Sequence, residues 1–206
     1  MDIALQRLAD LLLEMSSNSE KSVSRAMLCY TTGESASEEI RKASDELRSQ
    51  EEEVSEISIE LIARFQPVAS DLRFIKSAME IAYGFSRFGR YALDIAEVLE
   101  IFGSQAECDH ATVEATAKAT QEMIRMSINA FANRDAELAK KVGPLDDYID
   151  EKYRSHVASI VRDPNPNKCQ ISAMLILRYL ERIADHSSSI ADAVIYIETG
   201  EKNPRK

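Results

Sequence analysis

Apolar side chains return every three or four residues along almost the whole chain. Leu5, Leu8, Leu12 and Met15 set the spacing, which places them on one stripe of an α-helix. This first helix is predicted to run to Tyr30. The polar stretch TTGESASEE follows, with Gly33 as a stop and Ser35 or Ser37 as the N-cap of the next helix. A second helix carries Ile40, Leu47, Val54, Ile57, Leu61 and Phe65, and its charge run RSQEEEVSE reads as a solvated face. Gln66-Pro67 ends it, because proline cannot continue a helix from inside. A third helix is predicted from Ser70-Asp71 to Phe102, before the break at Gly103-Ser104. The fourth carries Met123, Met126, Ile128 and Phe131. The fifth starts near Arg134 and carries Leu138, Val142, Leu145, Ile149, Tyr153, Val157 and Ile160, with Gly143-Pro144 kinking it. After the turn DPNPN, the sixth runs from Lys168 to Thr199 and ends at Gly200, a left-handed C-cap. No segment alternates with the period of a strand.

Three helices, a break and three helices suggest a duplication. Ser77-Ala78-Met79 returns as Ser172-Ala173-Met174, Arg87 as Arg182, and Ile95-Ala96 as Ile190-Ala191, every pair 95 positions apart. The predicted fold is all-α: two tandem three-helix bundles, residues 1–103 and 104–206. Three long helices cannot bury all their apolar faces alone, so the two units are expected to dock on each other or on a second chain, and a homodimer is expected.

Composition narrows this picture. The 206 residues are 45% hydrophobic and 29% charged, with only six Gly and five Pro, which suits long helices around a core. The net charge of −10 argues against nucleic acid and anionic membranes as partners and permits cations. Cys29, Cys108 and Cys169 are widely spaced and form no CxxC pair, so neither a zinc site nor a disulfide framework is expected, and a reducing cytoplasm fits. The opening MDIALQRLADLLLEM has acids within its apolar run, unlike a signal peptide. No uncharged apolar run reaches the length of about 18 residues that spans a membrane.

One helix raises a chemical question. On the sixth, Leu180, Ile183, Ala184, Ser187, Ile190, Ala191 and Val194 make the core stripe, while Glu181, Asp185, Ser188 and Asp192 make the adjacent ridge. On the fifth, Asp146 and Asp150 stand one residue after stripe positions Leu145 and Ile149. The two helices are antiparallel across a tight turn, which brings both ridges to one side of their seam. Asp146 lies 18 residues before Pro164 and Glu181 lies 17 after it, so their depths are expected to agree to about a turn. Asp146, Asp150, Glu181 and Asp185 should therefore converge. Converging carboxylates repel one another without a cation between them, and an all-oxygen set suits Mg²⁺, Mn²⁺, Ca²⁺ or iron. The competing reading pairs the same acids with Arg178 and Arg182 on a solvated surface. His186, beside the ridge, reads as a surface or interface residue. His110 and His156 have no ligand partner at suitable spacing. Met27, Met79, Met123, Met126 and Met174 read as core. No nucleophile–base–acid set and no Gly-rich phosphate loop is visible, so an enzyme is not expected.

RFQPVASDLRFIKSAMEI at 64–81, LDDYIDEKYR at 145–154 and LILRYLERIADHSSSIADAVIYIETGE at 175–201 resemble the signature segments of the PhoU family. The resemblance covers nearly the whole chain. It implies two tandem three-helix bundles and a non-enzymatic cytoplasmic regulator of high-affinity phosphate uptake and of phosphate-responsive signalling. Such a regulator restrains a phosphate importer through its ATPase subunit. It also implies Glu/Asp-xxx-Asp pairs that hold metal ions, often iron, here Asp146 with Asp150 and Glu181 with Asp185. The first repeat departs from that pattern: Ser86 stands where Glu181 would be and Arg90 where Asp185 would be. Glu52 and Glu56 are spaced as a pair on the second helix but in an uncertain register. One site is expected to be kept and one lost. The alternative is a metal-binding or scaffold bundle of the same fold with no phosphate role.

Overall fold

The structure is a computed structural model that describes residues 1–105 and 107–201. Six long helices and one short one follow in order: α1 Asp2–Thr32, α2 Ser37–Phe65, α3 Ala69–Phe102, α4 Ala111–Asn133, α5 Ala136–Lys140, α6 Gly143–Arg162 and α7 Lys168–Thr199. The expected two tandem three-helix bundles are present. α1 and α2 pack on α3, while α4, α5 and α6 pack on α7.

α3 and α7 join the halves. Their contacts run in opposite directions along the chain. Arg73 Nε donates to the Ile197 carbonyl at 3.4 Å, Lys76 sits over the Tyr196 ring, and Tyr91 stacks on Tyr179. The two central helices are therefore antiparallel. Gly84 allows them to approach closely, since a Cβ there would lie 2.9 Å from Ile190 Cγ1 and Cδ1. The duplication is visible in burial as well. Ser77 and Ala78 are buried, as are Ser172 and Ala173, and Ile81, Phe88 and Ile95 match Ile176, Ile183 and Ile190. Every predicted stripe residue of α7 is buried. Met27 and Met123 are buried core, and Met126 packs against it.

The helix ends differ from expectation in physically readable ways. Ala36, not Ser35 or Ser37, is the N-cap of α2, and Val68 rather than Ser70 precedes α3. The predicted fifth helix is not kinked but broken into α5 and α6, with Pro144 in the first turn of α6. Proline has no N–H to give, so it fits where a helix starts and not where one continues. α7 begins with a capping box of Asn167 and Gln170, and it ends at left-handed Gly200, the C-cap expected.

The cysteine expectation is overturned. Cys108 and Cys169 form a disulfide, with Cα atoms 5.7 Å apart and a sequence separation of 61. The linker after α3 folds back onto the start of α7. Buried Gln105 holds it there: its Nε2 donates to the Gly103 carbonyl at 2.8 Å and its Oε1 accepts from the Ser172 hydroxyl at 2.7 Å. That docking carries Cys108 to Cys169, and sequence spacing contains no trace of it. Cys29 is buried and free.

Candidate metal centre

The seam between α6 and α7 gathers the acids. One carboxylate oxygen each from Asp150, Glu181 and Asp185 lies within 4.8 Å of the others. All three are half-buried. The cause is the stripe beside them. Ile149, Leu180, Ile183 and Ala184 must be buried, so the next residue round each helix is held at the edge of the seam.

Asp146 stands outside this group of three and faces it one turn away. The charges of Asp185 and Asp150 act on it. Asp146 thus lies beside Asp185, one turn along α7 from Glu181.

The electrostatics record the crowding. Burial, then the neighbouring charges of Asp185 and Asp150, pushes the Asp146 carboxyl up to about 6. Its Oδ1 is buried with no hydrogen-bond partner, and so is the adjacent Ser188 hydroxyl. That hydroxyl is close enough to favour the charged carboxylate slightly without meeting hydrogen-bond geometry. Burial also raises the carboxyl of Glu181, with the charge of Asp185 adding to it. Burial raises Asp185, and the Arg182 guanidinium works against that shift.

Arginines meet three of the four acids. Arg178 Nη1 donates to both oxygens of Glu181 at 2.6 and 2.7 Å. Arg154 donates to Asp150 at 2.7 Å, and Arg182 to Asp185 at 3.4 Å. Convergence and arginine pairing therefore coexist. The pairs with Arg178 and Arg182 are those weighed from the sequence. Arg154 was missed, although its i,i+4 spacing from Asp150 was readable. The donor set is all oxygen, and beside it Asp146 Oδ1 is buried without a partner, which fits a hard cation. Asp150, Glu181 and Asp185 would hold it, with Asp146 at the edge, and its charge would offset the repulsion among them.

The first half lacks this arrangement. Ser86 is buried, and Arg90 donates to Asp94 at 2.7 Å and lies 4.0 Å from Glu97. Glu52 and Glu56 are exposed. Among the described residues the only group able to gather three ligands is the α6–α7 one. His186 lies between the halves, with ring centroids 5.5 Å from Tyr83 and 5.9 Å from Tyr91.

Comparison with known proteins agrees with this architecture. The PhoU domain model matches residues 12–99 and 113–194, once in each half. A phosphate-specific transport system accessory protein PhoU homolog from Pseudomonas putida is 31% identical over 95% of this chain and 79% of its own length. A homolog from Methanothermobacter thermautotrophicus is 30% identical over 96% of this chain and 94% of its own. The crystal structure of PhoU from Pseudomonas aeruginosa superposes with a TM-score of 0.88 at 30% identity, covering 97% of this chain and 99% of that one. The phosphate transport system regulatory protein PhoU from Streptococcus pneumoniae shares the fold, with a TM-score of 0.88 at 22% identity over 99% of each chain. Matched twice by the family model, and by relatives along nearly its whole length, this chain belongs to the PhoU family.

Proposed function

We propose that the chain is an accessory regulator of phosphate transport that works by protein contact and holds a cation on its second half. The observation that carries the transport role is the family match in both halves, because relatives covering nearly the whole chain are named for the phosphate-specific transport system. In this reading the partners are the ATPase subunit of a phosphate importer and the phosphate-responsive sensor system. The site of action is the cytoplasm, and the chain acts without catalysis. No helix of the described residues is long and apolar enough to cross a membrane, which fits a partner that meets the importer from outside the bilayer. The unit boundary is taken at 103/104 and the working state as a homodimer.

Two features support action by contact. Ile59, Ile62 and Phe65 at the end of α2, with Val68 and Leu72 just beyond, are exposed apolar side chains in one stretch of chain. Gln66 and Ala69 in the same stretch adopt left-handed backbone at φ 48°, a strained conformation for residues other than glycine. The cation reading rests on Asp146, Asp150, Glu181 and Asp185, with iron or another divalent or trivalent ion as ligand. The test of the transport role is a pull-down of the importer's ATPase subunit from phosphate-replete cells, together with deletion of the gene. Binding and altered phosphate uptake are expected. Uptake unchanged in both replete and starved cells would leave the scaffold reading instead.

A further inference from the structure

The α2–α3 seam of the first half is the counterpart of the acidic seam, and it is lined with arginines. A cleft of about 290 Å³ opens there, bounded by Arg41, Arg48, Arg87 and Arg90 together with Asp45 and Glu51. Two of the guanidiniums already meet carboxylates: Arg90 meets Asp94 at 2.7 Å and Arg41 meets Glu97 at 3.3 Å. The other two do not. Arg87 Nη2 donates to the Tyr91 hydroxyl at 3.0 Å, a neutral acceptor, and its guanidinium lies 4.8 Å over that ring. Its Nε is buried without an acceptor. Arg48 forms no ion pair among the described residues within 4.0 Å. These two arginines stand on facing helices across one cleft.

The planar fork of a guanidinium matches the oxygens of a tetrahedral oxyanion. A dianion gains from both guanidiniums, whereas chloride offers one charge and no fork-shaped acceptor. Asp45 and Glu51 stand beside them, so binding should be moderate and should favour an anion that reaches both arginines. We propose that this cleft binds a free phosphate-type dianion between Arg48 of α2 and Arg87 of α3. The choice of phosphate among such anions rests on the transport reading above; the site itself rests on the arginines. In one molecule, the duplicated seam then serves a cation in one half and an anion in the other.

Equilibrium dialysis of the full, EDTA-treated chain against radiolabelled inorganic phosphate, at constant ionic strength, tests this. Saturable binding at about millimolar phosphate is expected, given a chain of net charge −10. Arg48→Gln and Arg87→Gln should each weaken it by at least about fivefold. Asp150→Asn with Asp185→Asn should leave it unchanged. Arg48 is exposed, so its variant should fold even if that of Arg87 does not. Absence of saturable binding, binding indifferent to Arg48→Gln, or binding lost with the α6–α7 acids would each overturn the proposal. The importer pull-down is independent. Its failure beside intact phosphate binding would count against the regulator reading alone.

Discussion

At the scale of single residues, Asp146 carries the largest electrostatic cost of the seam. Its carboxyl is pushed up to about 6 by burial first and by Asp185 and Asp150 second. The proton is therefore held more tightly in the folded chain than in the unfolded one. Its favourable contribution is complete below the ordinary carboxylate range and is lost as pH rises through about 6. The metal-free chain should lose stability as pH rises from about 4 to about 6.5 on this account. Asp146→Asn should flatten that dependence and stabilise the metal-free chain at pH 7. Urea unfolding of EDTA-treated protein at the two pH values measures it, and a variant less stable than wild type at pH 7 would contradict it. Arg90→Asp, at the equivalent place in the first half, should not create a second cation site. Its neighbour Ser86 brings no carboxylate, and calorimetry with Mn²⁺ would read this directly.

At the scale of elements, two contacts decide how the helices are held. Gly84 sets the closeness of α3 and α7, where any Cβ would press on Ile190 at 2.9 Å. Gly84→Val should cost about 1–3 kcal/mol by overpacking, measured as a lower denaturation midpoint. The Cys108–Cys169 bond closes a loop that contains all of α4, α5 and α6. Under oxidising conditions Cys169→Ser should cost about 2–4 kcal/mol. Under reducing conditions the variant and wild type should unfold together, and a difference that survives reductant would mean the serine itself is at fault. Long helices, their stripes and the ridge were legible from period alone, because Leu180, Ile183 and Ala184 must be buried and so fix where Glu181 and Asp185 point. At Pro144 the sequence predicts a kink where the structure has a break, because proline fits both a bent helix and a new start. The disulfide was illegible, because it depends on Gln105 docking the linker onto Ser172, and no spacing rule carries such a contact.

At the scale of the molecule, a duplicated fold has kept one acidic seam and changed the other. The 95-residue repeat was legible in Ser77-Ala78-Met79 and Ser172-Ala173-Met174, and so was the loss at Ser86 and Arg90. The antiparallel docking of the halves through α3 and α7 was not, because both helices look like ordinary core elements from sequence. The central claim is that the α6–α7 seam holds a cation. A ligand that binds only the folded chain raises its stability by about 2.7 kcal/mol at a hundredfold excess over its dissociation constant. The most direct measurement is thermal unfolding with and without Mn²⁺ or Fe³⁺, for wild type and for Asp150→Asn with Asp185→Asn, beside metal analysis of the purified chain. The account predicts bound metal and a metal-dependent rise in melting temperature for wild type, and neither for the double variant. A wild-type chain that carries no metal and melts at the same temperature in its presence would contradict it.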